Sequence, residues 1–181
     1  SGKWGKQWTT LHYAAFGGHV DICSMLIDKG IEINKQTEDG KTALVLASEN
    51  GHTNVVKLLL ENGADVHAAS SGWWGKQWTA LHHAAYGGHV DICFMLIEKG
   101  ADINKQTEDG ETALILALEK KHDKVVKLLL QYDVDVNKQT KGGKTALMFA
   151  AEKANKTVIQ LLLDKGADVN VAWSGKWGKQ W

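Results

Sequence analysis

Apolar residues return along the chain in two kinds of short block that alternate. The first is a string such as Thr42-Ala43-Leu44-Val45. It recurs as Thr9-Thr10-Leu11-His12, Thr79-Ala80-Leu81-His82, Thr112-Ala113-Leu114-Ile115 and Thr145-Ala146-Leu147-Met148, at spacings of 33, 37, 33 and 33 residues. The second is a run such as Asn54-Val55-Val56-Lys57-Leu58-Leu59-Leu60, apolar nearly all round, with Lys57 and Glu61 as its polar edge. A helix of that composition must be covered on two sides, and neighbouring copies of the same unit supply the cover. The threonine heading each first block is placed to cap a helix. Gly30, Gly63, Gly100 and Gly166 sit where the second helix of a unit stops in the left-handed conformation. Asp133 takes that place in the fourth unit and is expected to adopt the same conformation at some cost.

This pattern resembles the ankyrin repeat, a β-turn plus two helices built around T-P-L-H-x-A. Gly18-His19, Gly51-His52 and Gly88-His89 reproduce further positions of that family, as do the Gly-Ala-Asp-Val or Gly-Ala-Asp-Ile strings at Gly63, Gly100 and Gly166. One departure is consistent: the chain has no proline, and Thr10, Ala43, Ala80, Ala113 and Ala146 fill the slot where it would open the first helix. The resemblance implies an all-α repeat solenoid of helix-turn-helix pairs joined by β-hairpin finger loops. It also implies a non-catalytic module that binds protein or peptide through its concave face. We expect a single domain over 1–181, with repeats at approximately 7–39, 40–76, 77–109, 110–142 and 143–173, and a truncated finger loop beginning at 174–181. Residues 1–70 and 71–140 align without a gap, so a two-repeat unit has been duplicated.

All eight tryptophans lie in three nearly identical strings, Ser1 to Trp8, Ser71 to Trp78 and Trp173 to Trp181. The middle string lengthens one finger by four residues. Trp78 stands where the ordinary repeats have Lys41, Glu111 and Lys144, a solvent-facing place in the family, and Trp8 is its counterpart. Phe16 and Tyr86 likewise replace Glu49, Glu119 and Glu152. Large exposed rings signal a partner, and tryptophan is enriched where few side chains carry an interface. The expected binding residues are therefore Trp8, Phe16, Trp73, Trp74, Lys76, Trp78 and Tyr86. The alternative use of the paired tryptophans is to stabilise their own loop, at ~1 kcal/mol per aromatic contact.

Two rival functions use the same rings. Some ankyrin domains, such as that of the oligoadenylate-activated ribonuclease family, are similar in having Trp just before the Thr of the T-P-L-H string, where the ring stacks on a base. By that resemblance Trp8 and Trp78 would stack on a nucleotide or glycan, with Lys6 and Lys76 near its phosphates. Alternatively, the indoles serve self-association or a membrane interface. The chain begins and ends inside copies of the tryptophan string, with no polar capping repeat, so end-to-end stacking is expected at high concentration. The strings are either constrained by what they do or placed there by design.

Charge narrows the partner. Lys plus Arg total 21 and Asp plus Glu total 21, so no net field draws the chain to nucleic acid. No run approaches the length of a membrane span and no signal-peptide h-region is present, which favours a cytoplasmic location. Cys23 and Cys93 occupy equivalent repeat positions and read as small buried apolar residues. His12, His82, His19, His52, His89 and His122 fall at family turn positions and His83 and His67 are scattered, so no metal site or other cofactor is expected. Lys141-Gly142-Gly143-Lys144-Thr145 lacks the leading glycine of a phosphate loop, since Lys138 stands there. No Ser or Cys has a base and an orienting acid in reach of its repeat position, and an enzyme is not expected. Asn155-Lys156-Thr157 matches a glycosylation acceptor but falls at a helix-helix turn.

Overall fold

The computed structural model describes residues 7–71 and 77–173. Trp73, Trp74 and Lys76, together with the finger expected at 174–181, lie outside the described residues. Ten helices occur in the described residues, and they form five pairs: α1 (Thr10–Phe16) with α2 (Val20–Asp28), α3 (Ala43–Glu49) with α4 (Thr53–Glu61), α5 (Ala80–Gly87) with α6 (Val90–Glu98), α7 (Ala113–Glu119) with α8 (Asp123–Leu129), and α9 (Ala146–Glu152) with α10 (Lys156–Asp164). The first helices pack on one another in the order α1, α3, α5, α7, α9, and the second helices in the order α2, α4, α6, α8, α10. The result is a two-layered all-α repeat solenoid.

The short first helices hold together because their starts are capped and their faces are small. Thr42, Thr112 and Thr145 accept from the backbone N–H three residues on, at 3.3, 3.3 and 3.4 Å. In α1 and α5 a histidine completes the cap. Thr9 N–H and Thr79 N–H donate to Nδ1 of His12 and His82 at 2.9 and 3.1 Å, while each Nε2 reaches the carbonyl oxygen of Lys35 or Lys105 at 2.9 or 3.0 Å. Ala15, Ala47, Ala84, Ala117 and Ala150 are fully buried between neighbouring helices, letting the backbones approach. Val55, Val56 and Leu59 are equally buried on α4, so the run that is apolar nearly all round is covered as its composition required. Cys23 and Cys93 are buried, unpaired thiols.

Side chains also clamp one pair to the next. The carboxamide of Asn104 donates to Asp133 O at 3.2 Å and accepts from Asp135 N–H at 2.7 Å; Asn34 and Asn137 do the same to Gly63 and Asp65, and to Gly166 and Asp168. His52 and His122 reach back to the carbonyls of Phe16 and Tyr86 at 2.8 and 2.9 Å. The finger that carries the middle tryptophan string is a short antiparallel pair, β1 (Ala69–Ser70) with β2 (Trp78–Thr79), in the register Ser70 to Trp78. Other fingers are tight turns, in which Thr37 N–H bonds Lys41 O and Thr107 N–H bonds Glu111 O, each at 2.9 Å.

One expectation is overturned. Gly30, Gly63, Gly100 and Gly166 are left-handed, but Asp133 is not among the residues with positive φ. Without a glycine the chain avoids the left-handed cap by ending α8 early, at Leu129, with Tyr132 N–H returning to Leu129 O at 3.1 Å and Val134 N–H to Tyr132 O at 2.9 Å. The steric cost of a side chain at positive φ is met by shortening the helix.

Candidate functional site

The residue before each capping threonine and the last residue or two of the following helix come together, eight positions apart, at 8 and 16, 41 and 49, 78 and 86, 111 and 119, and 144 and 152. The stacking of the first helices sets these five stations in a row. In two of them the pair is ionic: Lys41 to Glu49 at 2.6 Å and Lys144 to Glu152 at 2.5 Å. In two it is aromatic: Trp8 meets Phe16 edge-on at a centroid distance of 5.6 Å, and Trp78 meets Tyr86 edge-on at 5.3 Å. Four of the expected binding residues, Trp8, Phe16, Trp78 and Tyr86, are thus brought together in two clusters two repeats apart, with the Lys41–Glu49 pair between them. Trp73, Trp74 and Lys76 lie outside the described residues.

The rings do not stand clear of the protein as a solvent-facing position suggests. Trp8 and Trp78 are half-buried. Trp78 also leans on His83 at 5.1 Å, and Trp8 on Tyr13 at 4.9 Å, so each indole is held by the helix beneath it. Tyr86 remains 41% exposed. Edge-to-face rings at these distances attract one another and resist rearrangement.

Between α3, α5 and α7 the row opens into a cleft of about 550 Å³, lined by Trp78, His83, Tyr86, Gly87, Leu116 and the carboxylates of Glu49, Glu111 and Glu119. Burial and the like charges of Glu119 and Asp109 push the Glu111 carboxyl above its ordinary value, an effect that Lys120 partly offsets. Lys120 lies over the Tyr86 ring at 4.4 Å and bonds Glu119 at 3.2 Å. His83 is a site residue that sequence reasoning passed over as scattered. The tell-tale was its place one residue after His82, on the helix side beneath Trp78. Burial lowers its pKa to about 3 and that of His82 to about 4. The carboxylate pair at Glu111 and Glu119 was also missed, although the eight-residue spacing was readable from the neighbouring Lys and Glu pairs.

Among the described residues no group of three or more His, Cys, Asp or Glu is arranged to hold a metal ion. No helix there is long and apolar enough to cross a membrane. Burial pushes the Cys93 thiol up to about 12, far from the thiolate that nucleophilic work needs.

A repeated helix pair, a capping Thr-x-x-His and a row of stations on one side define a repeat scaffold that presents a surface. Family models described as ankyrin repeats match residues 2–70 and 81–172, and again 44–97. The chain belongs to the ankyrin repeat family, whose repeats generally mediate protein–protein interaction and are typically non-catalytic. It is similar to the E3 ubiquitin-protein ligase XBAT32 of Arabidopsis thaliana, 49% identical over 63 residues, which is 35% of this chain and 12% of that protein. A probable E3 ubiquitin-protein ligase of Oryza sativa subsp. japonica, XBOS32, is 38% identical over 63 residues, 35% of this chain and 13% of the relative. Another from the same source, XBOS33, is 44% identical over 41 residues, 23% of this chain and 8% of the relative. The chain therefore matches only a small part of the length of these relatives.

Proposed function

We propose that the chain is a non-catalytic module that binds a protein or peptide along the row of stations, with Trp8 and Phe16, and Trp78 and Tyr86, as its aromatic anchors. The observation that carries this reading is the cleft beside Trp78, where half-buried rings fixed by their own helix meet open space. Rigid aromatic anchors lose little conformational entropy on binding and make large contacts. No cofactor enters the reading, and two unpaired buried thiols suit a cytoplasmic location. The test is selection of displayed peptides against the intact chain and against Trp78→Ala/Tyr86→Ala. The double variant should keep its helical circular dichroism and lose the enrichment; equal enrichment by both sinks the reading, and loss of helix makes the rings structural.

Stacking on a nucleotide is the less favoured use of Trp78, because Lys41 and Lys120 answer Glu49 and Glu119 only, leaving the Glu111 carboxylate in the cleft to repel phosphate. End-to-end self-association draws support from the apolar side chains left exposed on the outermost pairs. On the first of them Tyr13, Ile22 and Met25 are 54%, 45% and 67% exposed, on the last Leu163 is 37% exposed, and in the segment after it Val169 is 65% exposed. A constant monomer mass at every concentration in sedimentation would exclude it.

A further inference from the structure

The fourth station departs from the other four. Where they place a cation against a carboxylate or a ring against a ring, it sets Glu111 and Glu119 together. Glu119 is answered by Lys120, which also covers Tyr86. Glu111 is half-buried, and among the described residues its carboxylate has no hydrogen-bond or ion-pair partner. A half-buried carboxylate beside a like charge is costly unless a cation completes it.

A second acceptor faces the same space. His83 is only 8% exposed and lines the cleft. The Ser70 hydroxyl donates to Trp78 O at 3.2 Å and lies 3.4 Å from His83 Nε2. The other ring nitrogen, Nδ1, has no hydrogen-bond partner among the described residues. The cleft therefore offers a carboxylate and a ring nitrogen without such partners, flanked by the rings of Trp78 and Tyr86.

We infer that the cleft receives an arginine side chain of a bound polypeptide, its guanidinium stacked on Trp78 and Tyr86 while donating to Glu111 and to His83 Nδ1. A guanidinium is planar, presents five N–H donors in a fork, and lies flat on aromatic faces, a combination that a lysine ammonium lacks. The fold already holds a cation in the equivalent setting one station on. There Lys144 Nζ lies 5.3 Å from the ring centroids of Phe149 and Trp173 and bonds Glu152. The partner supplies at the third and fourth stations what the chain's own lysine supplies at the fifth.

This inference rests on the row of stations being a polypeptide-binding surface, and its test separates the two. The indole N–H resonance of Trp78, assigned through Trp78→Phe in the intact chain, is followed by NMR during titration with acetyl-Gly-Arg-Gly-amide. The same peptide with citrulline, which keeps the shape and loses the charge, is the control, alongside the lysine peptide and AMP. The arginine peptide should move the resonance saturably, with weaker binding of lysine and none of citrulline or AMP. Glu111→Gln/Glu119→Gln should weaken arginine binding by about tenfold, the loss expected for a charge-assisted contact. Lys120→Gln, which removes the competing ammonium, should strengthen it. Equal response to arginine and citrulline, an unmoved Trp78, unchanged affinity in the glutamine variant, or saturation by AMP instead would each overturn the assignment. If peptide enrichment depends on Trp78 and Tyr86 while the arginine titration fails, only the arginine falls; if enrichment is indifferent to both rings, the surface itself falls.

Discussion

Lys121 and Ala154 adopt φ of +61° and +53° at the turn between the paired helices, where the first three pairs use Gly18, Gly51 and Gly88. The glycines there answer to a neighbour as well as to backbone sterics. A Cβ on Gly18 would come within 2.6 Å of the His52 ring of the next pair, and one on Gly88 within 2.6 Å of His122. After Lys121 the next pair offers the shorter Asn155, which caps Val158 N–H at 3.2 Å and bonds Asp123 at 3.0 Å instead of reaching back as histidine does. The loss of glycine at 121 and of histidine at 155 is thus one coupled change. Lys121→Gly and Ala154→Gly should each raise stability by roughly 0.5–1 kcal/mol, relief of left-handed strain exceeding the entropy glycine adds to the unfolded chain. Urea midpoints check this, and no gain at either site would show that the turn is unstrained. His67 is the other informative residue. It stands where Asn34, Asn104 and Asn137 clamp one pair to the next, yet among the described residues its only hydrogen bond is from its own N–H to Asp65, at 2.8 Å. His67→Asn should install the missing clamp and add about 1 kcal/mol, or ~2–4 °C in melting temperature.

At the scale of elements, α5 is the one on which stability and site meet. It packs against α3 and α7, carries His82 and His83 on buried positions and bears Tyr86 in its last turn. His82 is locked neutral because its Nδ1 accepts from Thr79 and its Nε2 donates to Lys105 O. Burial, the largest cause for both, holds the folded-state pKa near 4 for His82 and near 3 for His83, against 6.5 for the ordinary group. The unfolded chain therefore binds more protons than the folded one below pH 6.5, and stability must fall on acidification through that window. By pH 5 the loss is about 2 kcal/mol per histidine. Denaturant titrations at pH 7 and 5 measure it. His83→Gln should remove about half of the dependence due to this pair, and a slope unchanged by that substitution would place the effect elsewhere.

Across the whole molecule, burial is deepest in the middle and thins towards both ends. The inner first helices α3 and α7 each bury six residues of seven, whereas α1 buries four and α9 two; among the second helices α4 buries four, α2 only Cys23 and α10 only Val158 and Leu162. Each pair covers its neighbours, and the first pair leaves Ile22 and Met25 45% and 67% exposed while the last leaves Leu163 37% exposed. Head-to-tail contact between such dissimilar sides propagates instead of closing. Sedimentation should then show a mass that rises with concentration, and Met25→Lys should return the chain to a monomer without unfolding it. A variant that still associates would move the contact away from α2.

The sequence by itself determined the repeat, its period, the capping threonines and the buried faces. These depend on local propensity and on a pattern repeated five times, each copy reporting on the others. It also singled out Trp8, Phe16, Trp78 and Tyr86, through departures from that pattern. It misjudged Asp133, because a helix end can shorten at little cost when its neighbours still cover it, and periodicity carries no record of that freedom. Only the tertiary structure set Glu111 beside Glu119 with no ion-pair partner of its own among the described residues, brought His83 to Ser70, and opened a cleft against Trp78. Those relations join residues from three stacked helices and a finger, and their energies depend on burial and distance, which come into being only when the repeats close on one another.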